Sequence, residues 1–198
     1  KLLAHLPIYM IFDDHDVTDD WNLTRGWEAA AYSNGFSKRI IGNALLAYGL
    51  CQGAGNAPKQ HWPLLVKANA YFEPLAKYNH LTGLPNDSYN HQQQDHDQLI
   101  DDFLAWSQWG YLLNTQPKIV VLDTRTHRWR SESDPNKPSG LMDWESLTHL
   151  QQQIINEEQV IIVSAAPMFG VKIIESIQKL FSFSISYRLI VVYIHVYS

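Results

Sequence analysis

The chain has 198 residues, 45% of them hydrophobic and 18% charged, with a net charge of -5. That is enough apolar material to bury a core, so a soluble globular class with one domain is the first expectation. Acids and bases are spread along the chain without a basic stripe, which disfavours nucleic-acid binding as the main function. The single cysteine, Cys51, excludes an internal disulfide framework and a cysteine-based zinc site.

In chain order, the apolar run Leu6-Pro7-Ile8-Tyr9-Met10-Ile11-Phe12 predicts a short buried strand that stops at an acidic cluster. Ligand sites of open α/β sheets favour that carboxyl edge of a strand. From 27 to 50 the apolar residues Tyr32, Phe36, Ile40, Leu45 and Tyr48 recur at helical spacing, which predicts one long amphipathic helix with Gly53 placed to end it. A further helical piece is predicted over 62–78, a turn-rich stretch over 82–90 around Gly83, Pro85 and Asn86, and a polar helix over 94–106. Residues 109–113 and 118–122 flank the turn Asn114-Thr115-Gln116-Pro117 and predict a hairpin whose second strand delivers Asp123-Thr124-Arg125-Thr126. An exposed loop over 131–140, a helix over 143–158, a fully apolar strand over 160–163 and a loop over 165–170 follow. Strands alternating with helices predict an α/β layered domain. Residues 185–197 are rich in Ile, Val and Tyr, but they are fewer than the roughly 20 apolar residues that span a bilayer and include Arg188, so no membrane span is expected.

Five aspartates (Asp13, Asp14, Asp16, Asp19, Asp20) and His15 fall within eight positions, a density of like charge that a cation or solvent must relieve. An EF-hand calcium loop does not fit: with Asp13 as its first position, Thr18 stands where glycine makes the turn and Thr24 where the bidentate glutamate belongs. A helical zinc motif is absent too, because no second histidine stands four residues from His15. The alternative is a solvated loop whose aspartates cap turns and helices. The preceding apolar run, the histidine within the cluster and the following Trp21-Asn22 pair all weigh towards chemistry.

The segment from Phe12 through Asp13-Asp14-His15-Asp16 to Asn22 resembles the Asp-Asp-His-Asp/Glu block of PhoD-like alkaline phosphatases, within the calcineurin-like metallophosphoesterase superfamily. Two more blocks are similar to that family in the same order, Val121-Leu122-Asp123-Thr124-Arg125-Thr126 with Arg128, and Ser164-Ala165-Ala166-Pro167-Met168-Phe169-Gly170. The resemblance spans about residues 6–182. It implies an α/β fold, a partial layered αββα metallophosphatase-type sandwich over 1–184, and hydrolysis of a phosphate ester by attack of a metal-activated hydroxide on phosphorus. By the same resemblance Asp14 takes the metal-binding position, His15 the catalytic one, Asp16 orients His15, and Asp13, standing where the superfamily has glycine, is counted with the metal ligands. Oxygen donors favour calcium, magnesium, manganese or iron.

The family's upstream Gly-Asp-x-x-Tyr and downstream Gly-Asp-x-His blocks have no counterpart, for the chain contains no Gly-Asp dipeptide. It is therefore expected to be an internal fragment, lacking N-terminal and C-terminal parts and inactive on its own, with 185–198 an atypical tail, either frameshifted or misread or an ordinary divergent edge strand. The alternative is a non-catalytic metal-binding or interaction domain that retains the phosphatase scaffold. Asp123 and Arg125 sit at a strand end where Arg125 either clamps a substrate phosphate or pairs with Asp123. His127 and Arg128 are expected to face solvent. His80, His91, His96 and His149 are read as surface residues, Trp27, Trp106, Trp109, Trp129 and Trp144 as core or interface, and Trp21 as a wall of the site.

Overall fold

A computed structural model describes residues 5–78, 86–166 and 188–193, a mixed α/β protein. Two compact units interleave along the chain: Lys1–Met10, His15–Asp19 and Ala29–Gln108 make the first, and Ile11–Asp14, Asp20–Glu28 and Trp109–Ser198 the second.

The first unit is helical. Where one helix is predicted over 27–50, the chain forms α1 (Arg25–Ser33), which belongs to this unit from Ala29 on, and α2 (Gly35–Tyr48). The break is at Asn34, whose extended backbone and side-chain oxygen, accepting from the Ser37 N–H at 3.0 Å, cap a fresh helix start. Gly53 does not end the run. It lies in a π-helical turn (Gly49–Gly53) that continues into the one-turn α3 (Ala54–Asn56). The helix stops at Ala57, with φ -144° and ψ 74°, because Pro58 crowds the helical conformation of the residue before it. Pro58 then opens α4 (Pro58–Tyr78), where its missing N–H costs nothing.

α5 (Asn86–Leu104) begins inside the stretch predicted as turn. Asn, Asp and Ser favour helix starts as well as turns, and the helix wins from Asn86 on. Residues 79–85 lie outside the described residues. Ile41, Leu45 and Tyr48 of α2, Leu64 and Ala68 of α4, and Leu99, Ile100 and Phe103 of α5 are buried at helical spacings and form the core of this unit. Gly42 lets α2 approach α5, since a Cβ there would collide with the Ile100 side chain.

The predicted strand over 6–12 is not a strand. Residues 5–10 are exposed, and the Met10 N–H and C=O pair with the side-chain amide of Asn56, at 2.8 and 2.9 Å. An Asn side chain offers the same donor and acceptor as a peptide unit, so it replaces a neighbouring strand here.

The second unit is built on a four-stranded sheet in the order β1 (Tyr111–Leu113), β2 (Lys118–Val121), β3 (Gln159–Ser164), β4 (Arg188–Tyr193). The predicted hairpin forms, with β1 antiparallel to β2 and Tyr111 opposite Val121. A side chain at Gly110 would stand 2.8 Å from the Val121 carbonyl oxygen, so only glycine fits at this start of the hairpin. β3 runs parallel to β2 and β4 parallel to β3, so residues 188–193 of the expected atypical tail form a sheet strand.

Between β2 and β3 the chain passes through α6 (Trp144–Ile154), capped by Asp143, whose Oδ1 accepts from the Ser146 N–H at 2.8 Å. Val120, Leu122, Val160 and Ile162 alternate along β2 and β3 onto one face, where Leu150, Ile154 and Met142 cover them. One sheet face and one helix make two layers; the full layered sandwich goes beyond what these elements show. Trp109 is buried as expected, whereas Trp144 and Trp129 are exposed, Trp144 at 78%.

Candidate functional site

The acidic cluster starts after Phe12, and an aromatic anchor fixes that point. Phe12 stacks on Trp109 with ring centroids 5.3 Å apart and meets Trp21 edge-on at 5.2 Å. Such pairs add about 0.5–1.5 kcal/mol to the area they bury. Trp21, only 1% exposed, is thus part of the hydrophobic support beneath the loop and does not wall the site.

The segment after Trp21 turns sharply. Asp20 and Asn22 have φ of 55° and 58°, a left-handed conformation that Asp and Asn tolerate better than other side-chain-bearing residues. Asn22 is buried and donates from Nδ2 to the Arg125 carbonyl at 3.3 Å. Gly26 N–H donates to the Pro135 carbonyl at 2.8 Å and Ser139 N–H to the Leu23 carbonyl at 2.7 Å. The acidic segment is therefore stitched to the loop after β2, more than a hundred residues away.

Asp123, at the end of β2, is not an ion-pair partner of Arg125. Its Oδ1 accepts from the backbone N–H of Arg125 and of Thr126, each at 2.9 Å, and its Oδ2 from the Thr126 hydroxyl. An aspartate followed by free N–H groups closes this turn on itself. That turn aims the Arg125 side chain at the acidic segment. Arg125 Nε donates to Asp13 Oδ1 at 2.7 Å, and its Nη2 bonds the same oxygen and lies 3.0 Å from Asp14 Oδ1.

The Arg125 and Asp14 side chains are 11% and 12% exposed, and Asp13 is half-buried, so these charges interact through a medium less polarisable than water. Burial raises the Asp13 pKa, but the hydrogen-bonding interaction with the neighbouring Asp14 carboxyl, the Asp14 N–H donated to Oδ1 at 2.8 Å, and the charge and hydrogen bond of Arg125 outweigh it. The net effect holds Asp13 below the ordinary carboxylate value.

Of the five residues expected to carry chemistry, the structure brings together Asp13, Asp14 and Arg125. His15 and Asp16 follow on a 3-10 turn (Asp14–Asp16), both exposed, and belong to the first compact unit. Two adjacent carboxylates suit a hard cation in kind. They fall short in number: among the described residues no three His, Cys, Asp or Glu side chains are placed to share a metal ion.

Arg128 corrects the expectation of a solvent-facing residue, being only 4% exposed. Burial first and the charge of Arg125 second lower its pKa, against the opposing charges of Asp14, Asp13 and Glu28. His127 is half-buried, with Nδ1 3.6 Å from Asp143 Oδ2. Arg130 donates from Nε to both carboxylate oxygens of Glu28, at 2.7 and 2.6 Å, a pair that carried no sequence signal. The signal for Arg128 was its place three residues after Arg125 in a motif block.

Elsewhere, a cavity of about 590 Å³ lies between α4 and α5, lined by Lys67, Tyr71, Leu75, Asp95, Leu99 and Asp102 among others. It contains none of the motif residues. No helix among the described residues is long and apolar enough to cross a membrane. No protein-family model, curated protein or solved structure matches this chain.

Proposed function

We propose that the chain carries part of the phosphate-ester site of a metal-dependent phosphoesterase of the PhoD-like kind, on part of that superfamily's layered sandwich. One observation supports the reading above all. Asp13 and Asp14 come from one motif block and Arg125 from another, 112 positions from Asp13, yet the three meet in one charge cluster. Such a meeting of two blocks is what a shared site would need.

In this reading Asp14 and Asp13 offer hard oxygen donors to calcium, magnesium, manganese or iron, and Arg125 presents to phosphoryl oxygens the N–H donors that the two carboxylates do not occupy. His15, the next residue, serves the leaving group, with Asp16 orienting it. The cation supplies Lewis acidity and charge neutralisation when bound. Arg125 meanwhile holds the two carboxylates side by side, so that like charges stay close without repelling each other apart.

Manganese binding, followed by electron paramagnetic resonance, tests the ligand assignment. The purified chain is expected to bind manganese and Asp14→Asn to bind it at least about tenfold more weakly, the loss of one charged contact. Equal binding by both would overturn the assignment. Because the described ligand set is incomplete, the chain alone is expected to show no useful turnover of p-nitrophenyl phosphate or its bis ester. Turnover abolished by Asp14→Ala or His15→Ala would show instead that these residues suffice.

A second reading, a non-catalytic metal-binding or interaction domain, draws support from the same pair. Arg125 neutralises both carboxylates without any ligand, as a purely structural clamp would.

A further inference from the structure

Three guanidinium groups converge in the second unit, and they are not equally served. Arg125 is held by Asp13 and Asp14, and Arg130 by Glu28. Arg128 is the most buried of the three residues, yet it forms no ion pair and donates no side-chain hydrogen bond among the described residues. Of its nitrogens, only Nε is both sealed from solvent and without an acceptor.

Charge counting alone does not resolve this. Three arginines face Asp13, Asp14 and Glu28, so the sum is zero, but hydrogen bonds are directional. Arg130 takes both oxygens of Glu28, Arg125 takes Oδ1 of Asp13 and of Asp14, and none of the three carboxylates forms an ion pair with Arg128. A guanidinium cannot lose its charge near neutral pH, and its five N–H donors lie in a rigid planar fork. Leaving the Nε–H sealed from solvent without an acceptor costs about 1–3 kcal/mol. An apolar side chain of similar length would avoid that cost if packing were the only requirement.

We propose that Arg128 is an anion-binding residue that takes a phosphoryl oxygen of the substrate, beside Arg125. The inference rests on the phosphoesterase reading and names a second substrate-binding residue for it. A tetrahedral oxyanion offers acceptors in several directions and two or more negative charges, which suits two neighbouring guanidinium groups. The competing explanation is structural: the Arg128 stem packs in the core and distant carboxylates balance its charge.

Inorganic phosphate titrated into the purified chain by isothermal calorimetry, with chelator present so that no cation takes part, separates the two. Thermal melting is measured in parallel. The chain is expected to bind phosphate. Arg128→Met, which keeps the apolar stem, is expected to melt cooperatively and bind at least about tenfold more weakly, the loss of one charge-assisted hydrogen bond. Arg128→Lys, which keeps the charge and loses the fork, also binds more weakly than the unaltered chain, and it carries the test if the Met variant does not fold.

Equal phosphate affinity in the variants and the parent, or no phosphate binding by the parent, overturns the proposal. These outcomes are independent of the manganese test. If Asp14→Asn leaves metal binding unchanged while Arg128→Met loses phosphate, the metal assignment fails and the anion site stands; the opposite pair of results has the opposite meaning.

Discussion

Two arginine–aspartate pairs, one in each compact unit, use the same chemistry in different surroundings. In the helical unit Arg39 of α2 grips Asp97 of α5 with both arms of its fork, at 2.6 and 2.7 Å, and the two side chains are 35% and 46% exposed. In the sheet unit Arg125 and Asp14 meet at 11% and 12% exposure, with Asp13 at 32%. Water already solvates the first pair well, so forming it gains little. The second pair has given up that solvation and depends on its partners. Geometry alone would rank Arg39 as the better salt bridge, but burial decides which pair matters.

The largest effect that sharpens this contrast is expected at Arg125. Arg125→Ala leaves two adjacent carboxylates without the guanidinium that pairs with them, and breaking a buried pair from one side costs about 3 kcal/mol or more. Urea unfolding should show a lower midpoint, and a loss below about 1 kcal/mol would place this cluster in the same class as the exposed pair. Next comes a change that involves no charge. Gly42→Val forces a side chain into the Ile100 contact between α2 and α5, with an expected cost of about 1–3 kcal/mol from overpacking. An unchanged melting temperature would show that these helices separate at little cost.

Asp143→Ala removes the cap of α6 and should cost about 1 kcal/mol. Burial raises the Asp143 pKa, but hydrogen bonds from Ser146 and the nearby His127 outweigh it and hold the carboxyl below its ordinary value. With the folded pKa lowered, the ionised carboxylate stabilises the fold above the unfolded value near 3.9, and the benefit disappears as pH falls through the folded value. The stability gap between parent and variant should therefore be flat above about pH 5 and close in stronger acid. A gap that persists at low pH would show that the cap acts by packing and not by charge. The smallest effect belongs to Arg39→Ala, below about 1 kcal/mol and shrinking further in high salt. A loss as large as that at Arg125 would break the comparison.

Much of the local structure was legible. The hairpin, α6, β3 and the polar part of α5 follow from periodicity and turn residues that act over a few positions. The misreadings share a cause. The run 6–12 has the composition of a strand, but its Met10 pairs with Asn56, a partner that residues 6–12 do not announce. Asn34 divides a helix whose apolar spacing continues through it, because one side-chain cap suffices to restart the backbone. Asn86 to Asn90 carry residue types shared by turns and helix starts, and neighbouring chain resolves that ambiguity.

The site divides along the same line. The sequence by itself determined which residues carry charge or can titrate, and in which block: the aspartates and His15 in one, Arg125 and Arg128 in another. Only tertiary structure decided that Arg125 turns to Asp13 and Asp14 while Asp123 closes on its own turn, that Trp21 lies beneath the loop, and that Arg128 is buried with no carboxylate holding it. The physical reason is that side-chain type fixes what a group can donate or accept, whereas burial and partner geometry, which set what that capacity is worth, arise only where distant segments meet.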